Sequence, residues 1–381
     1  MTMFSALAKS FRKITGKHRA SNTSQGVDAN LRSRDATSAI EELSRAVQND
    51  TDSVEIYLAL GNLYRLRGDI ERAVHIRRCL IARPGLEASF RARALLELGR
   101  DYRRGGFIDR AQNTFQDAIK HGADKETVWC ELAALYGDSG AFDQAAIQHR
   151  RIGNPVAEAH YLTRHAQDLY AAGQSASAQK TLVHAIKVYS GSIEAWISRI
   201  SIAIQDNQWT KAKSLLEESM KHIALDKRFL VFNALLELPK PVLSEDDAAS
   251  QENNAMSFEQ VRCDCVLPVI EAQEPDLLLA YYAALFLLQC HKKEEAHIWL
   301  EKAIVLQTNF WAARYQMLTY SMEDESLSPV FKGQLLAFMD QANNAPCFVC
   351  QHCGFKRDQA FYLCPKCRSW HSATFRTSLQ D

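Results

Sequence analysis

Five cysteines fall within the stretch CFVCQHCGFKRDQAFYLCPKCRSWH, from Cys347 to His371. Cys350 and Cys353 form one C-x-x-C, and Cys364 and Cys367 form a second after ten intervening residues. Two residues between cysteines is the spacing at which a tight turn aims both sulfurs at one ion, and Gly354 and Pro365 supply turn chemistry at the two knuckles. Four thiolates close a tetrahedral shell, so the site they predict is structural: a hydrolytic metal must keep a position open for water. Zinc and iron both suit four thiolates, and spacing does not separate them. The cofactor expected is therefore one iron or zinc ion held by Cys350, Cys353, Cys364 and Cys367.

The same residues allow other ligand sets and other chemistry. Cys347 and Cys350 also make a C-x-x-C, and His352 and His371 are further possible ligands. The chosen set is favoured because each pair then carries its glycine or proline, which leaves Cys347 as a free thiol. A thiol-disulfide motif wants a βαβ context and a helix N-terminus at its first cysteine, which this tail does not offer. Neither C-x-x-C is followed by histidine, as c-type haem attachment requires. Cys263 and Cys265 have no ligand-rich company and read as incidental. No phosphate-binding glycine loop, H-E-x-x-H or G-x-S-x-G occurs, so the chain is not expected to be an enzyme or to take a small-molecule substrate.

The tail after Ala345 is too short to bury a core of its own, so something else must position it. With 16 glycines and 9 prolines in 381 residues, the chain is poor in turn formers and is expected to be mostly helical. Alanine recurs at Ala39, Ala73, Ala111, Ala145, Ala178 and Ala212, in steps of 34, 38, 34, 33 and 34. That is the tetratricopeptide period. Gly61, Gly99 and Ala133 fall where two helices of a hairpin meet closely, and Tyr64, Tyr102 and Tyr136 fill the space beside them. Ala284, Ala296, Leu300 and Ala303 mark one more hairpin, and amphipathic stretches over Phe310–Met322 and Pro329–Ala342 close the array.

The organisation expected is a basic segment at 1–27, repeats over 28–237, an irregular insert or loop at 238–275, further repeat helices over 276–344 and the cysteine ribbon at 345–381. Pro239 to Asn254, PKPVLSEDDAASQENN, has no helical stripe and reads as an exposed loop. The fold class is all-α, a superhelical solenoid whose concave face binds peptides and proteins. Asn62, Arg65, Arg100 and Arg103 are the residues predicted to meet a partner there, with a solvated helix face as the plainer reading. Lysine plus arginine and aspartate plus glutamate each total 45, so no overall charge points to nucleic acid. The longest apolar run, Leu277 to Leu288, is too short to span a bilayer, and no secretory signal opens the chain. A reducing, cytoplasmic setting is expected.

Residues 1–27 contain no acidic residue and place Phe4, Leu7, Phe11 and Ile14 on one helical face, with Lys9, Arg12, Lys13, Lys17 and Arg19 around it. This is the pattern of a basic helix lying in a membrane interface. A disordered basic tail and an organellar transit peptide share the same composition.

Three stretches, LALGNLYRLRGDIERAVHI from Leu58, LGRDYRRGGFIDRAQNTF from Leu98 and CQHCGFKRDQAFYLCPKCRSW from Cys350, make the chain resemble the lipopolysaccharide assembly protein B family. The resemblance covers the chain from about residue 28 onward. It implies tetratricopeptide repeats followed by a rubredoxin-like ribbon docked back on them, with Cys350, Cys353, Cys364 and Cys367 in the place of the family's metal ligands. It also implies an adaptor at the cytoplasmic face of the inner membrane, which promotes proteolysis of the deacetylase that commits carbon to lipid A through a membrane AAA protease. Characterised members begin with a transmembrane helix; none is expected from this sequence, and the basic segment is expected to contact the membrane peripherally in its stead. The alternative function is a general protein-binding scaffold or chaperone-like module with a structural metal.

Overall fold

The computed structural model describes residues 38–45, 53–239, 257–324, 328–343 and 345–378. The basic segment with Phe4, Leu7, Phe11 and Ile14, and the expected loop from Pro239 to Asn254 apart from Pro239 itself, lie outside the described residues. The chain falls into two compact units, Met1–Glu131 and Leu132–Asp381.

In the first unit a helical segment at 38–45 is followed by two helix pairs. These are α1 (Val54–Arg67) with α2 (Ile70–Ile81), and α3 (Ala88–Arg104) with α4 (Ile108–Lys120). The predicted small positions do the work assigned to them: Ala73 and Ala111 are fully buried. At Gly99 a Cβ would lie 2.5 Å from the Phe115 ring, so only glycine lets α3 and α4 close on that phenylalanine. The boundary between the units falls within α5 (Lys125–Ser139).

The second unit continues the repeats with α6 (Phe142–Ile152), α7 (Pro155–Ala171), α8 (Ser175–Val188), α9 (Ile193–Gln205) and α10 (Trp209–His222). Ala145, Ala178 and Ala212 are again fully buried. Beyond a short 3-10 turn at Leu225–Lys227 come α11 (Phe229–Leu236), α12 (Phe258–Glu271), α13 (Leu277–Gln289) and α14 (Lys293–Leu306). The last helices are α15 (Trp311–Asp324) and α16 (Pro329–Asn343). Asp276 caps α13 by accepting from the N–H groups of Leu278 and Leu279, which fixes where its apolar run begins. Among the described residues, no helix is long and apolar enough to cross a membrane.

The reading of 238–275 as irregular needs correction, because 258–271 is helical. Ser257 caps α12 by accepting from the Gln260 N–H at 3.2 Å, and Arg262, Cys263, Val266, Val269 and Ile270 form a buried stripe against α10 and α13. Pro268 removes one backbone hydrogen bond, but it sits on the exposed side, where water can satisfy the freed carbonyl. Cys263 and Cys265 are core residues of this helix.

The chain ends in a three-stranded antiparallel sheet of order β2–β1–β3, with β1 at Phe348–Cys350, β2 at Lys356–Arg357 and β3 at Ala373–Phe375. Phe348 faces Arg357 on one side and Phe375 on the other.

Candidate metal centre

Each C-x-x-C of the ribbon bends into a knuckle closed by one backbone hydrogen bond. The Gly354 N–H donates to the Cys350 carbonyl at 2.9 Å, and the Arg368 N–H donates to the Cys364 carbonyl at 2.9 Å. The residue after the second cysteine is left-handed in both, Gly354 at φ 67° and Arg368 at φ 59°. Glycine adopts that conformation freely; arginine does so at a cost. Pro365 stands inside the second knuckle, but the residue that closes it is Arg368, which sequence reasoning had not singled out.

The two knuckles bring the sulfurs of Cys350, Cys353, Cys364 and Cys367 within 4.8 Å of one another. Cys350 and Cys367 are 3.6 Å apart, as are Cys353 and Cys364. Four ligands about 2.3 Å from a common ion stand about 3.8 Å apart along each tetrahedral edge, so these separations fit one tetrahedral metal. A disulfide would need about 2.0 Å, and all four cysteines are free. The donor set therefore fits zinc or iron equally, and those four residues would hold it.

The polar surroundings favour thiolates at two of the four. A hydrogen bond with the Ser369 hydroxyl, 3.1 Å away, and one from the Ser369 backbone hold the Cys367 thiol down at about 6. Burial works against the Cys350 thiolate, but the Ser372 hydroxyl at 3.2 Å and the N–H groups of Cys353 and His352 outweigh it and bring its pKa below the ordinary value. Desolvation and the three neighbouring sulfurs push Cys353 up to about 12. A dication reverses that last preference by its own charge. Cys347 stands apart from the cluster, half-buried, with its thiol 3.7 Å from the Ala345 carbonyl oxygen. His352 and His371 are not among the clustered groups.

The ribbon shares the core of the second unit. Phe348, Cys350, Phe361, Cys364, Ala373 and Phe375 belong to the same buried cluster as Trp196, Phe229, Tyr282, Phe286 and Phe310. The Phe375 ring lies 5.7 Å from Phe348 and 5.9 Å from both Tyr281 and Phe310. Lys227 donates to the Ala373 carbonyl at 3.0 Å, and the Trp311 indole donates to the Arg376 carbonyl at 2.7 Å. Burying a large apolar side chain contributes about 1.5–3 kcal/mol, so two phenylalanines alone give the sheet a substantial hold on the helices.

A buried carboxylate adds direction to that hold. Glu194, in the first turn of α9, accepts from His160 Nδ1 at 2.9 Å and from His371 Nε2 at 3.0 Å. Burial alone would raise its pKa, but the two hydrogen bonds and the histidine charge bring it down to about 2. His160 also packs against Trp370, with ring centres 4.8 Å apart. Helix α7, helix α9 and the ribbon therefore meet at one carboxylate, and no spacing in the sequence had pointed to Glu194, His160 or His371 in this role.

Asn62, Arg65, Arg100 and Arg103 occupy a different setting from the open face expected of them. Arg65 donates to Asp101 at 2.8 Å, to Glu97 at 2.7 Å and to Asn62 at 2.9 Å, and the fully buried Arg77 donates to Asp101 at 2.8 Å. Arg100 and Arg103 share Glu131, at 2.8 and 3.0 Å. All four residues are only partly exposed and are engaged within the first unit. Burial raises the Asp101 pKa despite the two guanidinium groups beside it, whereas Arg65 and Arg100 overcome burial at Glu97 and lower its pKa.

The tetratricopeptide repeat family matches residues 26–86 and 96–152. Lipopolysaccharide assembly protein B of Escherichia coli (strain K12) is 23% identical over 359 residues, which cover 89% of this chain and 85% of that protein. The protein of the same name from Haemophilus influenzae is 21% identical over 339 residues, covering 86% and 81%. A solved structure of the C-terminal part of a TPR repeat-containing protein from Cytophaga hutchinsonii covers 75% of this chain and 96% of its own, at 12% identity and a TM-score of 0.38. The chain is a tetratricopeptide-repeat solenoid with a C-terminal tetracysteine cluster, and it resembles lipopolysaccharide assembly protein B over most of its length.

Proposed function

We propose that this chain, with its likeness to lipopolysaccharide assembly protein B, is a non-enzymatic adaptor that regulates lipopolysaccharide synthesis by holding protein partners on its repeats. The likeness along 89% of the chain, in a protein that ends in four clustered cysteines, is the observation that carries the reading. In the finer form of the proposal, the partners are a membrane AAA protease and its client, the deacetylase of the lipid A pathway. The place of action is the cytoplasmic face of the inner membrane, with Phe4, Leu7, Phe11 and Ile14 as peripheral contacts.

On this reading the metal has no reaction to perform. Bound by Cys350, Cys353, Cys364 and Cys367, one zinc or iron ion supplies a rigid cross-link between two knuckles. The chain's own residues do the rest: Phe348 and Phe375 seat the sheet on α11, α13 and the start of α15, and Glu194 ties His371 to α7. The state of the ribbon is thereby coupled to the arrangement of the repeat helices it touches.

The test is to deplete the chain in its host and follow the half-life of the deacetylase, alongside affinity capture with the parent chain and a Cys364→Ser variant. The proposal expects a longer half-life on depletion and capture of the protease by the parent chain. An unchanged half-life, with no protease captured, would overturn the lipid A assignment in favour of a general scaffold.

A further inference from the structure

Helix α14 buries Ala296, Leu300 and Ala303, so its opposite face should be polar in a helix that meets only water. That face instead carries Ile298 and Val305, 53% and 81% exposed, with Leu306 beside them at 49%. The three line an open groove with Leu279 and Ala280 of α13 and Trp299 of α14. Val305 continues into a second depression that reaches Leu318 of α15, itself 44% exposed. Exposed apolar residues gathered in this way mark contact surfaces, whereas single ones are ordinary.

The charge around the groove is one-sided. Glu271, Glu274, Asp276 and Glu301 line it, against one ammonium, Lys302, which lies 3.9 Å over the Trp299 ring. The C-terminal end of α12, at Ile270 and Glu271, opens onto the same place and adds the negative end of its dipole.

We infer that this groove is a docking site for a cationic amphipathic helix of a partner protein. The apolar floor takes the anchors of such a helix at i, i+3 or i+4, and i+7, while lysine or arginine flanking them meets the acidic rim. Anionic lipid does not fit, because the carboxylates repel it. A second copy meeting the same face across a two-fold axis would set acidic rim against acidic rim. An extended strand finds no sheet edge here, since every wall of the groove is helix or interhelical turn.

This inference deepens the adaptor reading and rests on it, but the assay addresses the groove alone. The probe is a fluorescent helical peptide of about 18 residues, or five turns, with leucine along one face and lysine flanking it. It is titrated into the full chain beside a version with glutamate in place of lysine. The lysine peptide should bind, more weakly at about 0.5 M than at 0.05 M salt, and the glutamate peptide should not. Val305→Asp, and separately Glu271→Lys with Glu274→Lys, should each weaken binding about tenfold or more with the circular-dichroism melt unchanged, as befits exposed positions. Equal binding of both peptides, or unchanged affinity in Val305→Asp, would overturn the inference. So would loss of sedimentation with phosphatidylglycerol vesicles in Val305→Asp, which would make the face a membrane contact. Failure of the peptide titration with the deacetylase still stabilised on depletion would reject the groove and leave the adaptor role to another surface.

Discussion

Replacing Glu194 with glutamine measures how firmly one buried carboxylate ties the ribbon to the repeats. The folded protein lowers the pKa of that carboxyl from 4.5 to about 2, against the effect of burial, through hydrogen bonds from His160 and His371. A difference of about 2.5 units at about 1.36 kcal/mol each amounts to about 3 kcal/mol of preference for the ionised form. Two hydrogen bonds to a charged acceptor, at about 1.5–3 kcal/mol each, give the same order. The folded-state pKa is depressed, so this stabilisation is complete above about pH 4.5 and is lost as the pH falls towards 2. One pH unit below the unfolded value, near pH 3.5, about 1 kcal/mol of it has gone. Glutamine keeps one acceptor oxygen but turns an NH2 towards the second imidazole, so Glu194→Gln should cost about 2 kcal/mol at pH 7 and about half that near pH 3.5. Urea unfolding of metal-loaded parent and variant at both pH values measures this difference, and hydrogen exchange over 345–378 locates it. A variant within about 0.5 kcal/mol of the parent at pH 7 would refute the reasoning, as would a deficit that stays constant as the pH falls.

Three further outcomes follow from the same geometry. Stripping the metal with a chelator, or substituting Cys353→Ser, should unfold the knuckles and expose Phe348 and Phe375. A rise in binding of an apolar dye and loss of near-ultraviolet dichroism report it, with far-ultraviolet helix signal largely retained. Arg368→Gly should stabilise the metal-loaded ribbon by about 1 kcal/mol, because it relieves a left-handed arginine; a lower melting temperature would show that the arginine's contacts outweigh its backbone cost. Asp101→Ala should destabilise the first unit by about 3 kcal/mol, because the buried Arg77 then keeps only the longer pairing with Glu97 at 3.6 Å, whereas Arg77→Leu combined with Asp101→Leu should recover much of that loss in thermal unfolding.

What was legible in the sequence was local or periodic. The cysteine pairs sit three residues apart, and such spacing is nearly a statement of geometry, so the cluster could be read directly. The alanines at tetratricopeptide spacing are forced by close helix contacts that recur once per repeat, and each of them from Ala73 to Ala212 is fully buried. Helix α12 was hidden because its buried stripe mixes Arg262 and Cys263 with valine and isoleucine, and it carries a proline, Pro268, on its exposed side. Arg368 was hidden because its side chain gives no signal of a left-handed backbone. Glu194 and His371 are 177 positions apart, and a contact across that distance leaves no trace in any single-sequence pattern. The ion pairs of Arg65, Arg100 and Arg103 were hidden for a related reason: amphipathicity marks a polar face, but not the carboxylates of the next hairpin that meet it.

One repeat position ties these observations together. Four residues after the buried alanine, the array places Phe115, Leu182, Leu216 and Leu300, each almost fully buried. The same position holds Arg77 in one repeat and His149 in another. An arginine there is tolerated only with partners, and Arg77 reaches out of its own hairpin to Asp101 in the next, which exchanges apolar filling for a charged link within the first unit. His149 stacks at 5.1 Å on Tyr161, whose ring also lies 6.5 Å from Trp370 of the ribbon. Its buried Nδ1 has no partner among the described residues, and burial, with the charge of His160, lowers its pKa. A leucine at that position, as in three of the other repeats, would fill the hairpin as well, but it would not offer a flat ring to Tyr161. Where the repeat pattern is broken, then, the substituted side chain serves a contact beyond its own hairpin, and in the second unit that contact lies on the path from the repeats to the ribbon.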